Sequence, residues 1–127
     1  MIRLLLASNS GNPFLAHCRE EVARFLGGVR RVSYITAARL GDEDAQCEKA
    51  RLALAPVGIA VEHARADGDL TRRIADAEAV FSSGGNTYAL ISRLHALGAV
   101  EPLARRVREG LPYVGTSAGT NIAGPSI

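Results

Sequence analysis

Apolar and polar positions along this chain alternate between two rhythms. Short apolar runs, of the length a buried strand needs, are separated by longer segments whose apolar residues recur at helical spacing. Residues 2–7 (IRLLLA) form the first short run and close on the loop 8-SNSGNP-13. Residues 14–26 then carry Phe14, Leu15, Cys18, Val22, Phe25 and Leu26 at helical intervals, and Gly27-Gly28 ends the pattern. The same alternation continues: strands are predicted at 31–37, 59–62, 79–82 and 113–116, and helices at 43–55, 70–77, 87–97 and 101–109. Pro56 and Gly58 stop the second helix.

Strands that alternate with helices imply a three-layer α/β fold: a parallel sheet with helices on both faces, joined by right-handed crossovers. In such open sheets ligands bind beyond the carboxyl ends of the strands. Three loops fall there: 8-SNSGNP-13, 83-SGGN-86 and 115-GTSAG-119.

Composition narrows the picture without redirecting it. The chain has 127 residues, 47% hydrophobic and 22% charged, which is one domain of ordinary globular make-up. The net charge of +2 comes from fourteen arginines and one lysine set against thirteen acids. The arginines are dispersed, so a solvated surface is expected rather than a nucleic-acid interface. Cys18 and Cys47 have neither CxxC spacing nor histidines at metal-ligand intervals, and are read as reduced thiols of a cytoplasmic protein. The opening MIRLLLASNS is too short an apolar run for a signal-peptide core or a membrane span.

The chemistry concentrates at Ser117. In Gly115-Thr116-Ser117-Ala118-Gly119, a G-x-S-x-G pattern follows a predicted strand and precedes a helix-compatible segment. A serine there sits on a tight turn with its hydroxyl above the sheet, while Gly115 and Gly119 let the backbones approach. The helix that follows aims free N–H groups at developing negative charge. One oxyanion donor is then the N–H of Ala118, and the second is expected from the 83–86 turn, where Gly85 allows close approach. Each such donor is typically worth about 3 to 4 kcal/mol in the transition state. Gly84 and Asn86 support that turn, and Tyr88, one turn into the next helix, either reaches the site or packs. A Gly-rich loop with no chemistry is the bland alternative for the whole pattern.

Elsewhere structural readings prevail. Gly84-Gly85 lacks the surroundings of a phosphate-binding loop. His17 and His95 fall within helices as surface or packing residues, and Asp42, Glu43 and Asp44 oppose the dipole of the second helix.

At these residues the sequence resembles the peptidase E family, the α-aspartyl dipeptidases among serine peptidases. The opening strand and Ser-Asn-Ser loop (4–10), ALAPVG (53–58), Ser83-Gly84-Gly85-Asn86-Thr87 and the segment 115–121 match family blocks in order across the whole chain. The resemblance implies a flavodoxin-like fold related to class I glutamine amidotransferases. It also implies a cofactor-free, metal-free enzyme cleaving Asp-Xaa dipeptides, with Ser117 as nucleophile and Gly85 and Ala118 as oxyanion donors. Ser83 replaces a family glycine, and Thr116 stands where some members carry tryptophan.

The family places its histidine and acid downstream of the nucleophile. The 127 residues are therefore expected to be the N-terminal part of a longer enzyme, inactive alone, with the fifth strand left uncovered. Serine without a base is a weak nucleophile. His63, after the third strand with Asp67 and Asp69 nearby, is the one upstream substitute, and otherwise a solvated loop residue. Two rival readings stand: a cyanophycinase-like hydrolase of an aspartyl polymer, and a non-catalytic amidotransferase-like binding domain. Pairing of two copies through the sheet edge or the helices, as a homodimer, is left open by the sequence.

Overall fold

The computed structural model describes residues 3–7 and 19–116. Five strands form one fully parallel sheet: β1 (Leu4–Ala7), β2 (Arg31–Ile35), β3 (Ala60–Ala64), β4 (Val80–Ser82) and β5 (Tyr113–Thr116). Among the described residues five helices join them: α1 (Arg19–Leu26), α2 (Glu43–Leu54), α3 (Leu70–Ala75), α4 (Thr87–Ala96) and α5 (Val100–Arg108). A single 3₁₀ turn, Ala55–Val57, follows α2 and is closed by Gly58 at φ 81°.

The spatial order is β1-β5-β4-β2-β3. With right-handed crossovers, connections that step one way across the sheet and those that step back lay their helices on opposite faces. The core divides accordingly. Val22 and Leu26 of α1 and Cys47, Ala50 and Leu54 of α2 pack on Val32, Tyr34, Phe81 and Val114. Leu70, Ile74, Leu90, Leu94, Leu103 and Val107, from α3, α4 and α5, pack on Ile35, Val80 and Tyr113. Successive strand residues thus feed opposite layers, as the pleat requires. Tyr34 meets Phe81 edge to face with ring centroids 5.1 Å apart. Burial drives the phenols of Tyr34 and Tyr113 far above their ordinary pKa, and Gln46 Nε2 lies 3.4 Å from the Tyr34 hydroxyl.

Two expectations are corrected. The fifth strand is not uncovered: it lies inside the sheet, with Gly115 registered against Leu6 of β1 on one side and Ser82 of β4 on the other. The third strand runs to Ala64 rather than ending at Glu62, because Tyr34 and Ile35 of β2 extend the pairing through His63 and Ala64. β3 is an edge strand, so its polar residues tolerate the outer side, and local polarity hid its true end.

Leu90 of α4 is fully buried and fixes the helix that follows the glycine loop. Leu90→Ala is expected to destabilise the fold by about 2–5 kcal/mol. A lowered urea midpoint with unchanged slope checks it.

Candidate active site

The carboxyl edge of the sheet presents the 83–86 turn, one of the three loops that the strand pattern placed there. β5 ends at Thr116, which is buried, and Ser117 follows directly. Ser117, Ala118 and Gly119, together with the 8–13 loop, lie outside the described residues, whereas Gly115, Gly84, Gly85, Asn86 and Tyr88 lie within them. Because Ser82 pairs with Gly115 and Ala7 with Thr116, the ends of β4 and β1 flank the end of β5.

The 83–86 turn is held from below by its own amides. Ser83 N–H donates to the Ile35 carbonyl at 3.0 Å, and Asn86 N–H to the Ala38 carbonyl at 2.8 Å. Ser83 is fully buried, so the fold accommodates a side chain at the first step of the turn. Gly85 has φ 142°, a conformation that L residues rarely adopt, and a Cβ there would collide with the Ala38 carbonyl oxygen and lie 2.9 Å from its carbon. Asn86 caps α4, its Oδ1 accepting from Ala89 N–H at 2.9 Å. Tyr88 is 82% exposed, so the packing reading is wrong: its ring stands free of the core at the start of α4.

The loop after β2 forms the other wall. A shallow depression of about 260 Å³ separates it from the glycine turn, lined by Ala38, Arg39, Leu40, Asp42, Gly85 and Asn86. Arg39 spans the gap, reaching Asp42 at 2.9 Å through Nε and the Gly84 carbonyl at 3.3 Å through Nη1. Arg93 of α4 returns to the same loop, donating to the Ala37 and Arg39 carbonyls at 3.1 and 2.7 Å. Sequence reasoning missed both arginines. The only local signal was the three-residue spacing of Arg39 and Asp42, which reads equally well as an N-terminal helix charge.

The acids at the start of α2 do more than oppose a dipole. Asp42 holds Arg39, Glu43 accepts from Gly41 N–H at 3.1 Å, and Asp44 pairs with Arg65. A larger cleft of about 480 Å³ opens beyond β2 and β3, lined by Thr36, Glu43, Arg65, Asp67 and Arg93 among others. Its charges are largely committed to one another and to backbone: Arg65 to Asp44, Asp67 to Arg73, and Arg93 to loop carbonyls.

His63 is not a solvated loop residue. It sits within β3 with its side chain 12% exposed, Nε2 lies 2.7 Å from the Thr36 hydroxyl, and Nδ1 lies 3.6 Å from Asp44. Asp67 and Asp69 engage Arg73 and Arg72 instead. β2 and β4 intervene between β3 and β5, a separation of about 14 Å at strand spacing. His63 therefore does not stand in as the base for a serine at the end of β5.

Burial, and secondarily Arg65, holds the His63 imidazole below its ordinary pKa. The unfolded chain then takes up the proton more readily than the folded one. Stability is full above the ordinary histidine value and is lost as pH falls through it. The melting temperature is expected to fall between about pH 7 and 5, and His63→Gln to flatten that part of the profile.

Cys47 is a free, buried thiol whose pKa is raised by burial; Cys18 lies outside the described residues. Among the described residues no helix is long and apolar enough to cross a membrane, and no three His, Cys, Asp or Glu side chains gather as a metal site.

A parallel, doubly covered α/β sheet, with a glycine turn leaving β4 beside the end of β5, defines the class of protein as an α/β protein. The model of Peptidase family S51 matches residues 4–127, and the chain belongs to that family. It is 43% identical to peptidase E of Streptomyces coelicolor over 99% of its own length and 53% of that protein. It is 37% identical to a Drosophila melanogaster protein named Probable alpha-aspartyl dipeptidase, covering 98% of this chain and 54% of that one. Among solved structures, a Listeria monocytogenes EGD-e protein described as a candidate peptidase E superimposes with TM-score 0.70 at 25% identity. That superposition covers 94% of this chain and 60% of the other. A peptidase from an acI-B1 Actinobacterium has the same fold, with TM-score 0.73 at 19% identity over 94% of this chain and 55% of its own. The chain thus spans about half the length of the curated relatives it matches.

Proposed function

We propose that the protein acts as a cofactor-free cytoplasmic serine dipeptidase that hydrolyses dipeptides with an N-terminal aspartate. The observation that carries this is the register of β5. It ends the strand at Thr116, between β1 and β4, next to where the glycine turn leaves β4, and the serine of G-x-S-x-G is next in the chain. The names of the relatives favour a dipeptide over an aspartyl polymer, and favour an enzyme over a non-catalytic binding domain.

In this mechanism the Ser117 hydroxyl oxygen attacks the aspartyl carbonyl carbon while a histidine takes its proton. The N–H groups of Gly85 and Ala118 receive the negative oxygen, which is where such donors act most strongly. Collapse of the tetrahedral species breaks the C–N bond. The Xaa amine leaves with the proton from the histidine, and the aspartyl group remains as an ester on Ser117. Water, activated by the same histidine, cleaves that ester and regenerates the serine. The histidine and its acidic partner are assigned to sequence beyond residue 127, since among the described residues no histidine stands near the end of β5. The 127 residues are correspondingly proposed as the N-terminal portion of one peptidase domain.

The test is hydrolysis of a panel of Asp-Xaa and control Xaa-Xaa dipeptides by the full-length protein. Cleavage confined to Asp-Xaa supports the reading. Cleavage of none, in a folded full-length protein, refutes it.

A further inference from the structure

The turn that carries Gly85 is glycine-rich and free to rotate its peptide units, so something outside it must set their direction. Its neighbouring amides are committed, Ser83 to the Ile35 carbonyl and Asn86 to the Ala38 carbonyl. The Gly85 amide has no acceptor among the described residues. The other end of the same peptide unit is the Gly84 carbonyl, and Arg39 Nη1 donates to it at 3.3 Å.

Arg39 is itself fixed. Its Nε and Nη2 engage the two oxygens of Asp42, a forked geometry that a guanidinium offers and an ammonium does not. Its backbone is tied down as well: Arg39 N–H donates to the Thr36 carbonyl at 2.9 Å, and Arg93 donates to the Arg39 carbonyl at 2.7 Å. In a trans peptide the C=O and N–H point in opposite directions, so a donor seated on the Gly84 oxygen sets where the Gly85 N–H points. A charged donor at the carbonyl also polarises the unit and strengthens its N–H as a donor.

We infer that Arg39, oriented by Asp42, is a positioning residue that aims and polarises the Gly84–Gly85 peptide so that the Gly85 N–H meets the oxyanion. The inference rests on the assignment of Gly85 as a donor under the proposed function. It adds a residue from the β2 loop that acts through the Gly84 carbonyl.

The test uses the full-length protein with Arg39→Met, which keeps the stem and removes the fork, and Arg39→Lys, which keeps the charge. For Arg39→Met, kcat on Asp-Xaa is expected to fall roughly 10- to 100-fold, a fraction of the 10²–10³ that loss of a whole donor brings. KM should stay within about twofold, because the lost interaction is made only in the transition state. Arg39→Lys should recover part of the loss. In ¹⁵N–¹H spectra the Gly85 cross-peak should move in Arg39→Met while that of Gly28, in the connection between α1 and β2, stays in place. An Arg39→Met enzyme with wild-type kcat, a raised KM at unchanged kcat, or an unmoved Gly85 cross-peak overturns the inference and leaves the dipeptidase reading standing. A wild-type protein that cleaves no Asp-Xaa removes the dipeptidase reading, and the inference falls with it.

Discussion

Ser117→Ala is expected to lower kcat for Asp-Xaa hydrolysis by on the order of 10⁶, the scale of loss when a triad nucleophile is removed. KM and the melting temperature should stay near wild type. The substitution deletes one oxygen and leaves every registered pair of β5 intact, from Tyr113 with Leu4 to Thr116 with Ala7. A small side chain replaces a small side chain, so neither sheet nor core is disturbed. Steady-state kinetics on purified full-length enzyme, with thermal melting alongside, separates this outcome from misfolding. A fall of only a few-fold would mean that Ser117 is not the nucleophile.

Gly85→Ala comes second in size and differs in kind. The glycine has φ 142°, and its missing side chain leaves room for the Ala38 carbonyl, which is backbone of a buried residue and also accepts from Asn86 N–H. That oxygen has no cheap direction in which to retreat. Forcing an L residue into such a conformation costs on the order of 1–3 kcal/mol. Relief comes by rotating the turn, which turns the Gly85 N–H away from its target. The expected result is a loss of about 10²–10³ in kcat, that of one oxyanion donor, with a measurable fall in melting temperature. Gly28→Ala is the control, since its Cβ meets open space at an ordinary φ. That change should leave kcat untouched and alter stability by well under about 1 kcal/mol. Equal behaviour of the two variants would remove Gly85 from the site.

The two variants also mark how far the sequence reached. Every described strand and helix announced itself in the apolar pattern, because the helices bury one face, the central strands bury both, and either pattern of buried positions is local. The glycine turn and the serine pentapeptide were legible for the same reason: tight turns and close approach demand particular residues at particular steps. Strand order was not legible. Placing β5 between β1 and β4 brings Leu6 beside Gly115, a pairing that no local pattern encodes. The expectation of an uncovered fifth strand failed on that point. The end of β3 was misplaced because His63 read as loop after a strand ending at Glu62, although an edge strand carries polar residues comfortably. The arginine brace was invisible for a related reason. Arg39 reaches Gly84 across 45 residues, and Arg93 reaches Ala37 across 56. An arginine in sequence carries no label telling whether it ends in solvent or on a distant carbonyl.

The central claim, that Ser117 carries the reaction, is most directly tested by trapping. Full-length protein is treated with a fluorophosphonate, digested, and the modified residue located by mass spectrometry, with and without excess Asp-Xaa dipeptide. The account predicts one stoichiometric adduct, on Ser117, that the dipeptide suppresses. An enzyme that hydrolyses Asp-Xaa while Ser117 stays unmodified, or is modified regardless of substrate, would contradict it.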